Sequence, residues 1–397
     1  MGRNRMKPKV SIVLPIFNVS RYLDQALESV KRQTLKDIEI ICVNDGSTDN
    51  SLDIVKKWAE GDDRFVIIDK VNEGYGVAMN TGMAKAKGEY IGILEPDDIV
   101  PLNMYEDLYE TAKENDLDIV KGDFYAFTVG PTGNVALRYM ALDKNGQYYG
   151  QVLNPELTPE LTGLMSYTWT GIYRRSFIEE NNIRHNTTPG ASFQDIGFFW
   201  KTTVKAKRVM LINKPYYWYR QDNPNQSIKK GDKVYFRDQE FDRVKEFLAN
   251  NDDTGLWDKF RNYYYAGRFR RSLVNIKRIS DEFTGEYLDH IRSYFSEAVE
   301  SGDFDLSVLS DRDRSAYNMM MGSAPEFLEK YHRRKGDRER ENNTDVWEVL
   351  REEKAQNKQL NKEVNQLRKE LAGRKSVKSY PAIWTKKITK HIFKRKK

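Results

Sequence analysis

The sequence predicts an α/β protein: a doubly wound, mostly parallel sheet, then a helical region and a C-terminal coiled-coil helix. Three observations carry this. Short β-branched apolar runs alternate with amphipathic segments over residues 8–125. Apolar and aromatic residues recur at three- and four-residue spacing over 234–335. Apolar positions then repeat in sevens over 346–371.

In order, Val10 to Pro15 is a first strand, and Ser20 to Gln33 a helix with Tyr22, Leu23, Ala26, Leu27 and Val30 on one face and Ser20 as N-cap. Ile38 to Val43 is a second strand, followed by the polar turn Asn44 to Asp49 and a helix from Ser51 to Trp58. Phe65 to Ile68 is a third strand; the glycine loop Asn72 to Gly76 leads into a helix over 77–86. A fourth strand opens at Gly88 and ends in Glu95-Pro-Asp97-Asp98. A helix over 104–115 and a strand starting at Ile119 complete the first half. Residues 126–233 are rich in Tyr, Trp, Asn, Pro and Gly, a composition suited to loops and short strands around a pocket. The expected division is therefore 1–125 as a ligand-binding parallel-sheet half, 126–233 as a pocket-forming half, 234–335 as a helical appendage, 336–373 as linker and coiled coil, and 374–397 as a basic tail.

At 397 residues the chain is long enough for a large core and more than one domain. Its single cysteine, Cys42, excludes an internal disulfide and fits a reducing compartment. The first residues are basic without the apolar run of a signal peptide, and no stretch is apolar enough to span a membrane. The net charge of +6 is local: residues 374–397 hold ten Lys and Arg and no acid, leaving −4 on the rest. In that tail Trp384, Ile388 and Ile392 share one face, with Lys386, Lys387, Lys390 and Lys394 on others. This is the pattern of a helix lying in an anionic membrane surface over 380–397. A nucleic-acid partner is set aside because the apolar residues form a stripe instead of interleaved stacking platforms. The heptad seam of Val346, Leu350, Leu360, Val364, Leu367 and Leu371, interrupted by Glu353 and Asn357, predicts a homo-oligomer through 346–371.

In a parallel sheet the strand ends line one crevice. Here they supply Pro15, Phe17 and Asn18; Asp45; the glycine loop with Gly74; and Glu95, Asp97 and Asp98. Phe17 can stack on a base and Asp45 can accept hydrogen bonds from a nucleoside. The glycine loop can approach a phosphate with its backbone, and the helix after it offers free N–H groups. Clustered carboxylates repel one another unless a cation lies between them, and a divalent ion bound to a nucleotide diphosphate meets that need. No phosphate-loop or dinucleotide signature is present.

The order Pro-x-Phe-Asn, Val-Asn-Asp-Gly-Ser-Thr-Asp, Asn-x-Gly, Gly-Glu-Tyr-Ile and x-x-Asp-Asp resembles the family 2 glycosyltransferases of the GT-A fold. The resemblance implies a nucleotide-sugar donor, usually UDP-linked, a divalent metal (Mn²⁺ or Mg²⁺) and inversion at the anomeric carbon. It implies that Asp45 binds the nucleoside, that Phe17 packs on the base, and that Asp97 with Glu95 and Asp98 holds the metal. Two positions depart from the family pattern: Glu95 replaces an Asp, and Met79 precedes Asn80, itself expected at the donor, where an Arg is frequent. Downstream, Trp169 to Arg175, Thr188 to Trp200 and Tyr217 to Ser227 resemble a bacterial surface-polysaccharide subgroup.

Gln194-Asp195 falls where the family has Glu-Asp, which implies that Asp195 is the general base. An inverting displacement needs such a base opposite the leaving diphosphate. Alone, Asp195 fits a helix N-terminal carboxylate equally well. Arg220 is a candidate for diphosphate binding, and Trp169 for an acceptor contact or a pocket wall. The implied protein is a cytoplasmic enzyme at the inner face of the cell membrane, acting on a glycan or lipid-linked acceptor. The alternative is a degenerate transferase fold serving as a scaffold.

Overall fold

The computed structural model describes residues 7–331 apart from 131–133, 165, 192, 225–233 and 252–254. The coiled-coil and tail expectations lie outside these residues.

β1 (Val10–Ile16), α1 (Ser20–Lys31), β2 (Ile38–Asp45), α2 (Ser51–Ala59), β3 (Phe65–Lys70), α3 (Tyr75–Lys85), β4 (Tyr90–Ile93) and α4 (Met104–Glu114) alternate as the pattern predicts. β1 and β2 are buried throughout, as strands covered on both faces must be. Cys42 lies in β2 with no exposure. α1 begins at Ser20 itself, with Val19 as N-cap. Its first N–H groups are held from outside the helix: Val19 donates to Ser51 Oγ at 3.1 Å and Ser20 to Asp49 Oδ2 at 3.0 Å.

The second half is more regular than its composition suggests. β5 (Ile119–Val129), β6 (Val135–Met140), β7 (Gly171–Arg174) and β8 (Val209–Arg220) join the same eight-stranded sheet, and β5 runs unbroken across position 125. The order is β3-β2-β1-β4-β7-β5-β6, with β8 paired to β5. β1 to β4 are parallel, β7 is antiparallel to β4 and β5, and β8 is parallel to β5 with a register shift around Asp123. Past that shift β8 crosses the end of β4, where Ile99 and Trp218 exchange backbone hydrogen bonds of 3.2 and 2.9 Å.

Helices α5 (Leu161–Leu164), α6 (Arg175–Glu180) and α7 (Gln194–Lys205) belong to this half. The helical appendage follows as α8 (Phe236–Asn250), α9 (Leu256–Ile276), α10 (Asp281–Glu300), α11 (Asp311–Gly322) and α12 (Ala324–Tyr331). Its core is aromatic: Phe260, Tyr264, Phe269, Tyr287 and Phe295 are buried. No helix among the described residues is long and apolar enough to cross a membrane.

Candidate active site

Registers of β1 with β2 and β4 bring Ile16, Asn44 and Ile93 to one edge, so Phe17, Asp45 and Glu95 emerge together. Pro15 ends inside β1, buried opposite Val43. Phe17 is half exposed at the rim, free to stack on a planar ring. Asn18 faces the protein instead: its Oδ1 accepts the N–H of Thr48 at 2.8 Å and shapes the 46–49 turn. Asp45 is buried and already engaged. It pairs with Lys70 at 2.7 Å and accepts the N–H groups of Glu73 at 3.0 Å and Gly74 at 2.8 Å.

The glycine loop serves a purpose different from the expected one. Gly74 has φ +95°, and a Cβ there would lie 2.7 Å from the backbone of Gly190; a Cβ on Gly76 would lie 1.9 Å from the carbonyl of Asn186. Tyr75 donates its N–H to Gly190 O at 3.1 Å. The missing side chains thus let segment 186–190 lie against the loop, in the place assigned to a phosphate. Asn80, expected at the donor, is likewise occupied: its carboxamide exchanges hydrogen bonds of 2.9 and 2.8 Å with the backbone of His185. Met79 is fully buried in the core, so that position does not face the crevice.

The three carboxylates after β4 divide. Asp98 is fully buried and points into the fold, accepting the N–H of Arg220 at 2.7 Å. It fastens β8 across the strand end and is not part of a metal triad. Arg220 is also corrected: its guanidinium is buried between the rings of Tyr22 and Phe127 and donates to the Asp97 carbonyl at 2.7 Å. Glu95 and Asp97 remain half-buried at the crevice. Glu95 accepts from the Tyr75 hydroxyl at 2.8 Å, and Asp97 from Asn223 at 2.8 Å. Burial pushes the Glu95 carboxyl up to about 8, with the negative fields of Asp97 and Asp195 adding to it. Burial also raises Asp97, against the Asn223 hydrogen bond.

Asp195 lies in the first turn of α7, after Phe193 in a left-handed conformation of φ 64°. It is half-buried on the crevice side, close enough for its charge to be felt by Glu95, Tyr75 and Tyr219. Burial raises its pKa, opposed by Arg271 and Arg237. The turn before it is tied down twice. Gln194 Nε2 donates to the carbonyls of Thr188 and Gly190, both at 2.9 Å, and Glu240 of α8 accepts from Asn186 at 2.7 Å and Thr188 at 2.9 Å. Trp169 is buried in a stack with Tyr217 and Tyr219, centroids 4.2 and 5.1 Å away, and forms a wall.

Sequence reasoning missed Tyr75, Asn223, Arg237 and Arg271. Tyr75 lay inside the glycine loop, where the glycines drew attention. The arginines stand forty to eighty residues from Asp195, beyond any local pattern.

Among the described residues no group of three or more His, Cys, Asp or Glu is arranged to hold a metal. The candidates for a metal are therefore Glu95 and Asp97, two half-buried carboxylates at a crevice, with the Asp97 charge adding to the cost of ionising Glu95. Such a pair fits a hard divalent ion that takes its remaining oxygens from a diphosphate and water.

A mostly parallel sheet with carboxylates at its carboxyl edge, closed by an antiparallel β7 and a crossing β8, defines the GT-A class of fold. The crystal structure of S. aureus TarS 1-349 has the same fold: TM-score 0.59 at 18% identity, over 80% of this chain and 88% of that one. Residues 11–181 match the family model described as Glycosyl transferase family 2. Over that segment the chain is similar to the family 2 glycosyltransferases. It is 36% identical over 226 residues to the uncharacterized glycosyltransferase EpsJ of Bacillus subtilis, covering 55% of this chain and 63% of EpsJ. It is 29% identical over 287 residues to the cholesterol galactosyltransferase of Borreliella burgdorferi, covering 70% of this chain and 79% of that enzyme. The chain thus spans somewhat under two thirds of EpsJ's length.

Proposed function

We propose that this chain is a metal-dependent, inverting glycosyltransferase. It moves a sugar from a nucleotide-diphosphate donor, UDP-linked, to a glycan or lipid-linked acceptor in cell-surface polysaccharide synthesis. The observation that carries the reading is the approach of Asp195, from the first turn of α7, to Glu95 at the end of β4, with Asp97 beside Glu95. The galactosyltransferase named among its relatives supports sugar transfer as the reaction class.

Phe17 at the rim packs on the base, and Asp45 fixes the loop beside it. Asp195 takes the proton of the acceptor hydroxyl as its oxygen bonds to the anomeric carbon. The bond from that carbon to the diphosphate oxygen breaks on the opposite side, and the nucleoside diphosphate leaves with the electron pair. A carboxylate raised above its ordinary range is a stronger base than a free aspartate, so burial serves the step. A divalent ion, Mn²⁺ or Mg²⁺, held by Glu95 and Asp97 would supply positive charge for the leaving group. Trp169, Tyr217 and Tyr219 keep that side of the crevice dry and shaped. The C-terminal residues would pair chains through 346–371 and hold them at the anionic inner membrane surface through 380–397.

The test is turnover of a UDP-sugar panel with Mn²⁺ and Mg²⁺. Asp97→Ala and Asp195→Ala are expected to lose about 10²–10⁴-fold in rate while keeping the wild-type circular dichroism. If wild type and both variants are equally inert with the fold intact, the scaffold reading replaces this one.

A further inference from the structure

The catalytic reading leaves one buried cation unexplained. Arg237, in the first turn of α8, is only 5% exposed, and its Nη1 is buried without a hydrogen-bond partner. Its guanidinium lies over the ring of Phe193, 4.4 Å from the centroid, two residues before Asp195. A buried guanidinium donor left unmet is costly, so a site that keeps one has a use for it.

A second guanidinium comes from α9. Residues 268, 271 and 275 of that helix share a face by helical spacing, and 278 follows just past its end. Arg268 bonds to Asp242 and Asp238, and Asn275 Nδ2 donates to the Val234 carbonyl at 2.8 Å, so this face looks onto the start of α8. Arg268 is thereby used. Arg271 makes no ion pair among the described residues and is half-buried. Exposure falls inward: Arg278 is exposed, Arg271 intermediate and Arg237 buried. Burial, with the fields of Arg278 and Arg271 adding to it, brings Arg237 down to about 10. Like charges converge from two helices, and the one carboxylate whose field reaches Arg237 most strongly is Asp195.

We propose that Arg237 and Arg271 form an oxyanion subsite on the acceptor side, so that the acceptor carries a phosphate or carboxylate group near the hydroxyl that Asp195 deprotonates. Paired guanidiniums are suited to two-oxygen recognition of either group. The subsite belongs to the acceptor because it reaches Asp195 from α8 and α9, while the donor side is built from the ends of β1, β2 and β4. In an inverting displacement those two sides face each other. This inference rests on the glycosyltransferase reading for the word acceptor, and on geometry alone for the oxyanion.

The experiment is calorimetric binding to the full-length protein, with and without saturating UDP and Mg²⁺, using inorganic phosphate and glucuronate as separate probes. The expected result is that UDP-loaded protein binds at least one probe, and the stronger of the two identifies the oxyanion. Arg271→Gln is expected to weaken that binding roughly tenfold, Arg271→Lys less, and both to leave UDP affinity unchanged. Arg237→Gln should act like Arg271→Gln; because Arg237 is buried, the half-exposed Arg271 decides if that variant does not fold. Failure of both probes to bind, or binding indifferent to Arg271→Gln, overturns the subsite. Loss of UDP affinity in Arg271→Gln assigns the arginines to the donor and overturns it too. If UDP does not bind wild type while phosphate does in an Arg271-dependent way, the donor reading fails and the oxyanion site stands.

Discussion

Two side chains near the crevice act by being the residue type they are. Gln194 donates one amide group to two carbonyls. A carboxylate at that position has no hydrogen to give when ionised and would face both oxygens. Gln194→Glu is therefore expected to cost about 1–3 kcal/mol in urea unfolding, although Glu is the residue the family pattern carries there. His185 is buried flat against Phe198, centroids 4.2 Å apart and planes 2° from parallel. Burial, helped by the charge of Lys201, lowers its pKa from 6.5 to about 3. The folded value lies below the unfolded one, so the stabilisation is present above about pH 6.5 and is lost as pH falls towards 3. His185→Phe keeps the ring stack and removes the titration. Its stability is expected to fall less than that of wild type between pH 6.5 and 4, a difference on the order of a few kcal/mol by thermal unfolding.

At the scale of elements, the glycine loop, segment 186–190 and α7 behave as one piece. The carbonyl of Asn186 occupies the space a Gly76 side chain would need, and that segment leads directly to Asp195, the proposed base. Gly76→Ala must displace it, so we expect about 1–3 kcal/mol of destabilisation and a fall in turnover on a soluble acceptor. A destabilised protein of unchanged turnover would separate the loop from the base. The alternation of β1 to β4 with α1 to α4 was legible because β1, β2 and β4 are buried on both faces, β3 is partly covered, and each helix is buried on one face. The strand ends were legible for the same reason: period and topology put them on one edge. What each end does was less so. Asn80 meets His185 across about a hundred residues, and Arg220 sits between rings from α1 and β5. Nothing local distinguishes such an arginine from one facing a diphosphate. β8 was hidden because Asn213, Lys214 and Pro215 break its apolar run where its register shifts.

At the scale of the whole molecule, the described residues fall in a first compact unit that ends at 333. A chain ending at 333 is expected to keep turnover on a soluble acceptor and to leave the membrane fraction. Unchanged sedimentation with anionic vesicles would remove the tail from the proposal. The first unit also contains a built-in clock. The sequence holds one sulfhydryl, on Cys42, enclosed in β2 between β1 and β3, and burial pushes it up to about 12. No alkylating or disulfide-exchange reagent can reach it until neighbouring strands separate, so its labelling rate times rupture of the sheet and stays silent while substrates come and go.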